Sequence, residues 1–206
     1  MFVTFEGVDG SGKTTQARLL AEHLRSEGRP VVTTREPGGT PLGERIREVL
    51  LGGDAVSPWA EAALFTAARA ELVERVIRPA LADGADVICD RYLDSSLAYQ
   101  GIARGLGLEA VLELNRAAVG GILPDRTFLL LVATDEAAAR MGTALDRIEV
   151  AGAEFQGRID RAYRELAERF PDRIVPLDGT LPVDDVARLV RDKLAGTREP
   201  ASQRQA

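Results

Sequence analysis

The sequence predicts an α/β fold built on a five-stranded parallel sheet, and two observations indicate it. Short apolar runs alternate with segments in which apolar residues recur every three or four positions, and a glycine-rich turn joins the first run to the first such segment. Strands that alternate with amphipathic helices are typical of βαβ units and a parallel sheet. The predicted strands are Phe2–Glu6, Pro30–Arg35, Ala85–Asp90, Thr127–Ala133 and Arg173–Leu177.

The predicted helices follow the same alternation. The first has an apolar face that begins at Ala17 and repeats with helical spacing, and Gly28 is a plausible end for it. A long helix begins after Ser57, where proline occupies the first helical position, and Pro79 is expected to kink or end it. Another long helix is predicted over 153–169 and an amphipathic helix over 186–194.

Composition limits the classes of protein that remain. The chain has 206 residues, 45% of them apolar and 28% charged, which fits one globular domain at roughly 100–200 residues per domain. No apolar run reaches the roughly 20 residues of a membrane helix, and a net charge of −6 argues against a general nucleic-acid coat. A single cysteine and a single histidine argue against Cys-rich or His-rich metal centres.

These features predict one domain over 1–195, followed by a disordered tail over 196–206, because the last residues are polar and lack periodicity. The N-terminus has no basic region and no long apolar stretch, so it does not read as a signal peptide. The expected location is the cytoplasm.

The turn after the first predicted strand fits the pattern G-x-x-x-x-G-K-[ST] at every fixed position. Its glycines let backbone N–H groups surround phosphate oxygens at a helix N-terminus. Lys13 would neutralise the β- and γ-phosphates, and the Thr14 hydroxyl would ligate Mg²⁺. The alternative is a glycine-rich turn that only caps a helix. The predicted ATP-binding residues are Gly7, Val8, Asp9, Gly10, Ser11, Gly12, Lys13, Thr14 and Thr15.

Three charged residues lie where ligands of a parallel sheet bind, at the carboxyl ends of the strands. Asp90 ends an apolar strand, from which an acid can reach Mg²⁺ directly or through water, although many strands end in a plain turn-starting Asp. Arg91 follows and can meet an anion. Asp9 fits a phosphate loop only if it faces Mg²⁺ or a sugar hydroxyl, and the alternative is a solvated acid.

Phe65 and Arg69 are four residues apart on the long helix and so share a face. An aromatic ring beside a guanidinium suits a planar base with hydrogen-bonding groups. The alternative places Phe65 in the core, with Arg69 reaching outward to water.

Several motifs together resemble bacterial thymidylate kinases, a family of P-loop nucleoside monophosphate kinases. The resemblance covers about residues 2–194. Its motifs are Phe5–Gln16, Thr34–Gly43 (TREPGGTPLG), Leu64–Arg69, Asp90–Gly101 (DRYLDSSLAYQG), Leu123–Asp125 and Asp146–Glu149.

The resemblance implies transfer of the γ-phosphoryl group of ATP to dTMP with Mg²⁺, giving dTDP and ADP. It also implies a three-layer P-loop fold with a short mobile lid at about residues 140–152, and a homodimer. Asp9 would contact the deoxyribose 3′-hydroxyl and the metal region, and Arg35 and Arg91 would hold the acceptor phosphate. In the lid, Arg140 and Arg147 would act in catalysis beside Lys13.

The resemblance also assigns the acceptor pocket. Phe65 would stack on thymine and Arg69 would hydrogen-bond a thymine carbonyl. Tyr99 would crowd the sugar 2′ position and favour deoxyribose. Ser95, Ser96 and Gln100 would line the base and phosphate site.

Two alternative functions remain open, and two departures from the family pattern motivate the second of them. Leu131 stands where relatives typically carry an acid, and the lid offers two arginines, which Arg158 and Arg161 could supplement. One alternative is a related (deoxy)nucleoside monophosphate kinase with a changed base preference. Another is a nucleotide-binding module in which catalysis is weakened or lost.

Overall fold

The computed structural model describes residues 1–52, 55–140 and 152–195. All five predicted strands are confirmed, with ends shifted by no more than two residues. They are β1 (Phe2–Glu6), β2 (Val31–Arg35), β3 (Asp86–Asp90), β4 (Arg126–Leu131) and β5 (Ile174–Asp178).

The strands form a parallel sheet in the order β2-β3-β1-β4-β5. The chain leaves β1 at the centre, builds β2 and β3 on one side, and then crosses to build β4 and β5 on the other. The sheet therefore has its topological switch point beside β1, where open α/β sheets bind their ligands. The loops after β1 and β3 meet there, since Phe5 pairs with Asp90.

Helices connect the strands and flank the sheet. Their bounds are α1 (Lys13–Ser26), α2 (Pro41–Leu51), α3 (Pro58–Leu72), α4 (Arg78–Ala82), α5 (Leu93–Ser96), α6 (Leu108–Val119), α7 (Thr134–Arg140), α8 (Ala153–Arg169) and α9 (Val183–Ala195). Two π-helical turns interrupt them, at Val73–Ile77 and at Leu97–Ala103.

The irregularity near Pro79 differs from the expected kink at the proline itself. The wide π turn precedes Pro79, and the helix continues to Ala82. Proline has no N–H to donate to the preceding turn, so a local change in hydrogen-bond pattern is expected on its N-terminal side. The π turn accommodates this without ending the helix.

The core lies on both faces of the sheet because successive strand residues point to opposite sides. On one face, Val87 and Cys89 pack in a cluster that includes Leu97 and Ile159. On the other, Ile88 packs in a cluster that includes Leu20, Val186 and Val190. The result is the predicted three-layer α/β fold, and Cys89 is a buried core residue.

Two predicted segments fall largely outside the described residues. Of the lid, only its first and last residues are described, and the tail over 196–206 is not. Among the helices of the described part, none combines the length and the apolar character needed to cross a bilayer.

Candidate active site

The loop after β1 has the backbone geometry of a phosphate-binding loop. Gly7, Gly10 and Gly12 all have positive φ angles, of 138°, 79° and 95°, which side-chain-bearing residues rarely adopt. A Cβ atom at Gly7 would lie 2.5 Å from the Leu130 carbonyl oxygen of the neighbouring strand. Glycine is therefore required at Gly7 by both its φ angle and its packing, and the loop leads directly into α1.

Lys13, the first residue of α1, is buried inside this loop. Its Nζ donates a hydrogen bond to the Val8 carbonyl at 2.8 Å and lies 3.8 Å from Asp9 Oδ1. Burial lowers the pKa of Lys13, and the nearby Arg91 guanidinium lowers it further, to about 8. The ammonium group is thus a weakly solvated cation that an anionic ligand would stabilise.

Thr14 and Asp90 meet across the switch point, as the predicted metal site requires. Thr14 Oγ1 donates to Asp90 Oδ2 at 2.5 Å. A hydroxyl and one carboxylate, both oxygen donors, suit Mg²⁺, which binds through few protein ligands and keeps several waters. The described residues hold no cluster of three His, Cys, Asp or Glu side chains for a metal. The donor set fits a phosphate-assisted Mg²⁺ site and not an all-protein cage.

Arg91 is the centre of the charged network. Of the non-glycine residues that the structure describes, Arg91 alone has a positive φ angle, of 70°. Such a conformation costs of order 1–3 kcal/mol, and residues that adopt it cluster at functional sites. Its guanidinium donates to Asp9 Oδ1 at 2.5 Å, the Gly7 carbonyl at 3.1 Å and Ser95 Oγ at 3.2 Å. From this backbone conformation the Arg91 side chain extends into the phosphate loop.

Asp9 lies between two cations. Burial raises its pKa, but the Arg91 guanidinium and the Lys13 ammonium outweigh this effect and lower the pKa to about 2. Tyr99 also reaches it, with its hydroxyl 3.5 Å from Oδ2. Asp9 is therefore ionised at any working pH and faces Arg91, Lys13 and Tyr99.

A buried carboxylate at the end of β1, Glu6, was not singled out by the sequence analysis. It accepts hydrogen bonds from Ser95 Oγ at 2.6 Å, the Tyr163 hydroxyl at 2.9 Å and the Tyr92 N–H at 2.7 Å. Burial and the nearby Asp94 raise its pKa. An acid ending an apolar strand was the available signal, the same one that drew attention to Asp90.

Two cavities open at this edge of the sheet. The larger, of about 1330 Å³, runs along the phosphate loop from Asp9 to α1. The smaller, of about 90 Å³, is lined by the predicted acceptor residues Phe65, Ser95, Ser96, Tyr99 and Gln100. Asp9, Glu36, Arg47 and Arg91 line both cavities. Arg91 and Asp9 thus lie where a donor in one cavity would meet an acceptor in the other.

Arg69 does not reach outward to water, which was the alternative interpretation of this residue, but is buried. It is 1% exposed and does not line either cavity. Its five N–H groups are all engaged, by Glu36 Oε2, Ser96 Oγ, Asn115 Oδ1 and the Tyr92 carbonyl. A bond to a thymine carbonyl would have to replace one of these partners, of which Ser96 and Glu36 themselves line the smaller cavity.

Glu36 and Arg47 are two further residues that sequence reasoning missed. Glu36 is buried, and its Oε1 has no hydrogen-bond partner among the described residues. Burial raises its pKa to about 7 in spite of the adjacent Arg69. Arg47 donates to the Pro37 carbonyl at 3.0 Å and reaches both cavities from α2. The available signal for Arg47 in the sequence was that an arginine lies on a predicted helix near the TREPGGT segment.

The remaining predicted cations lie at the rim. Arg35 lines the larger cavity, with its side chain 56% exposed and 3.1 Å from Glu44. Arg140 also lines that cavity and donates to the Gly179 carbonyl at 2.9 Å and to Glu136 at 2.6 Å.

Of the other residues named for the lid and the departures, those that the structure describes do not line either cavity. Arg147 lies outside the described residues, as does the whole range 141–151. Arg158 and Arg161 are exposed on α8 and do not line either cavity. Leu131 ends β4, where its carbonyl accepts from Gly179 N–H at 2.8 Å.

Comparisons with known proteins show which family of proteins this chain is similar to. The family model described as thymidylate kinase matches residues 5–190. A thymidylate kinase of Pelotomaculum thermopropionicum is 52% identical over 185 residues, covering 87% of this chain and 85% of that protein. One from Synechococcus sp. (strain JA-3-3Ab) is 50% identical over 190 residues, covering 92% and 93%.

A solved structure leads to the same family. The crystal structure of thymidylate kinase from Ehrlichia chaffeensis superposes with a TM-score of 0.80 at 35% identity, covering 95% of this chain and 98% of that one. Sequence identity of this level over nearly the full length accompanies the phosphate loop, the switch-point site and the paired cavities described above. The chain belongs to the thymidylate kinase family.

Proposed function

We propose that the protein phosphorylates dTMP to dTDP, with ATP as the phosphoryl donor and Mg²⁺ as the cofactor. The observation that carries this proposal is the junction of the two cavities at Arg91 and Asp9. A phosphate-binding loop opens into one cavity and an aromatic-lined pocket into the other, so two phosphorylated ligands can meet end to end. Family membership supports the same reaction.

On the donor side, backbone N–H groups of the loop 7–15 hold the β- and γ-phosphates of ATP, and Lys13 neutralises their charge. Thr14 and Asp90 would hold Mg²⁺, which would supply positive charge beside the phosphates of ATP. Asp9 was predicted as a further metal ligand, but its carboxylate forms ion pairs with Arg91 and Lys13. Its role in this proposal is to orient these two cations.

On the acceptor side, a phosphate oxygen of dTMP attacks the γ-phosphorus of ATP, and the bond to the β–γ bridging oxygen breaks to release ADP. Arg91, Arg35 and Arg47 supply the positive charge that brings the two anions together. No group in this step has to act as a strong base, because a dTMP phosphate oxygen is already ionised near neutral pH. Positioning and charge neutralisation carry the catalysis.

The smaller cavity holds the nucleoside. Phe65 stacks on thymine, Ser95, Ser96 and Gln100 line the base and phosphate site, and Tyr99 lies against the sugar, where it excludes a 2′-hydroxyl. Arg69 donates a hydrogen bond to Ser96 Oγ at 3.0 Å. It contributes to base binding either by holding Ser96 in place or by exchanging this hydrogen bond for one to the base.

The lid, over about residues 140–152, supplies Arg140 and Arg147 to the transferring phosphoryl group in this proposal. Arg140 already lies in the larger cavity. Two arginines are sufficient if both reach the equatorial oxygens, since each guanidinium presents several N–H donors in a planar fork.

We also propose that the protein works as a homodimer in the cytoplasm. The outer face of α3 carries Trp59, Ala60, Ala63 and Ala67, all exposed, while its inner face is buried. A helix that is apolar on both faces is usually covered on both. A second copy of the chain is the occupant that fits the family, and sedimentation of wild type against Trp59→Glu tests it.

The test of the activity is ADP release, followed by a coupled spectrophotometric assay with ATP, Mg²⁺ and a panel of acceptors. The panel is dTMP, dUMP, dCMP, dGMP and UMP. Turnover highest with dTMP supports the proposal. A higher rate with another acceptor would indicate a changed base preference, and binding of ATP and dTMP without turnover would indicate a binding module.

A further inference from the structure

Behind the smaller cavity, Gln100 contacts a charged pair, Glu61 and Arg104, that has no assigned role. Gln100, on the π-helical turn 97–103, donates a hydrogen bond from Nε2 to Glu61 Oε1 at 2.9 Å. Arg104 lies against both Glu61 oxygens, with N···O distances of 3.3 Å. Glu61 and Gln100 are each 1% exposed. Buried charges of this kind are retained only where they are paired.

This contact fixes which way the Gln100 amide points. A carboxylate paired with a guanidinium only accepts hydrogen bonds, and Arg104 forms such an ion pair with both oxygens of Glu61. The NH₂ group of Gln100 must therefore face Glu61. Its carbonyl oxygen Oε1 is then left for the cavity that Gln100 lines with Phe65 and Ser96, and no other described residue donates a hydrogen bond to it.

An amide that could rotate freely would hydrogen-bond equally well to thymine or uracil and to cytosine. Turned one way it accepts from the N3–H of thymine or uracil, and turned the other way it donates to the unprotonated N3 of cytosine. Held by Glu61, it presents only the acceptor. Cytosine N3 would then face an acceptor, with neither group satisfied, and sites built in this way reject the wrong ligand strongly.

We propose that Glu61, supported by Arg104, is a positioning residue that makes Gln100 an obligate acceptor and so selects thymine over cytosine. Glu61 does not touch the substrate in this proposal. It acts by preventing rotation of the one amide in the smaller cavity. The inference rests on the proposed function, because it requires the base to occupy that cavity.

The test compares dTMP and dCMP as acceptors in wild type and in Glu61→Gln. Glutamine at this position keeps the shape but can both accept and donate, so Gln100 becomes free to rotate. The ratio of kcat/KM for dTMP to that for dCMP should fall by about tenfold or more, with the dCMP value rising in absolute terms. A purely structural defect would lower both values together and leave the ratio unchanged.

A matched control is Glu74→Gln, which makes the same chemical change at an exposed position on the continuation of the same helix, where Glu74 pairs with Arg78. Its ratio should equal that of wild type. If Glu61→Gln does not fold, as judged by circular dichroism, Glu61→Asp is used. The shorter side chain retains the charge beside Arg104 but withdraws from Gln100, and it should also lower the ratio.

The outcomes separate the two levels of the argument. If wild type does not phosphorylate dTMP, the proposed function itself is wrong. If wild type prefers dTMP but the folded Glu61 variant retains the wild-type ratio, only the positioning role of Glu61 is overturned. A lowered ratio, with the Glu74→Gln ratio unchanged, establishes that role.

Discussion

Asp9 and Arg91 form a 2.5 Å ion pair across the junction of the two cavities, although they are 82 residues apart in the chain. The pair links the loop after β1 to the residue after β3, so the two strands at the switch point share one charged centre. Because Arg91 also touches the Gly7 carbonyl and Ser95, a change in Asp9 affects the phosphate loop and the acceptor pocket together.

We expect Asp9→Asn to destabilise the protein by about 1–3 kcal/mol, because Arg91 and Lys13 lose the carboxylate that compensates them. Urea unfolding measures this loss. Inorganic phosphate should stabilise the variant more than wild type, since an anion can replace the missing charge. Glu22→Gln, at an exposed pair with Arg18, is the control and should change stability by less than about 0.5 kcal/mol.

The pH dependence of stability gives a second check on Asp9. Its pKa is lowered from 3.8 to about 2 in the folded protein, so the unfolded chain binds more protons between these values. The stability that Asp9 contributes is therefore fully present above about pH 4 and is lost as pH falls through 2. Asp9→Asn should lack this part of the acid dependence, and an unchanged acid limb would contradict the assignment.

The lowered pKa of Lys13 predicts how activity changes at alkaline pH. Its pKa of about 8 means that the ammonium group loses its charge as pH rises through that value in the free enzyme. The value of kcat/KM for ATP, which reports the free enzyme, should fall with a midpoint near pH 8. Lys13→Arg should have lower activity but lack this midpoint, because arginine stays charged. A profile flat to pH 10 in wild type would contradict the prediction.

Arg147 tests the lid. Removing a guanidinium from the transferring phosphoryl group should lower kcat by about 10³ in Arg147→Ala while leaving the KM for dTMP nearly unchanged. Steady-state kinetics with both substrates measures the two effects separately. Arg158→Ala, in which an exposed side chain stacked beside Phe155 is removed, is the control. Unchanged turnover in Arg147→Ala would end the assignment of this residue to the lid.

Phe65 tests the placement of the base. Stacking of a base on an aromatic ring contributes about 1–3 kcal/mol, so Phe65→Ala should raise the KM for dTMP by roughly 5- to 150-fold. The KM for ATP should stay the same, because Phe65 lines only the smaller cavity. Equal increases in both KM values would show that the base does not lie against this ring.

The buried pair of Arg69 and Glu36 gives a prediction about stability. Either single change, Arg69→Met or Glu36→Gln, leaves a buried group without its partner and should cost about 3–5 kcal/mol. The double variant should cost less than the sum of the two single variants, because no unpaired charge remains. A thermodynamic cycle from urea unfolding measures this coupling. Simple additivity would show that Arg69 and Glu36 are not energetically coupled.

The strands and the phosphate loop could be predicted because their signals are local. A run such as Asp86–Asp90 shows its apolar character within five residues, and the glycine spacing of Gly7–Thr15 is contained in one turn. The resemblance to thymidylate kinases assigned Phe65 to the acceptor pocket, and Phe65 lines the smaller cavity. What the sequence pattern does not contain is the burial of Arg69, which depends on Glu36 at a separation of 33 residues.

Long-range contacts explain the other omissions. Tyr163 reaches Glu6 across 157 residues, and Gln100 reaches Glu61 across 39. No periodicity along the chain encodes such pairs, since each depends on how the helices pack against the sheet. The sequence therefore predicts the residues that line the two cavities better than it predicts the residues that hold those side chains in position.

One active site transfers the γ-phosphoryl group of ATP to dTMP in the proposed reaction. The most direct measurement is to incubate the purified protein with ATP, Mg²⁺ and dTMP and to quantify both nucleotide products by chromatography and mass spectrometry. We expect wild type to form dTDP and ADP in equal amounts, and Lys13→Met to form no dTDP. ADP formed without dTDP, or no product from protein that binds both nucleotides, would contradict the proposed reaction.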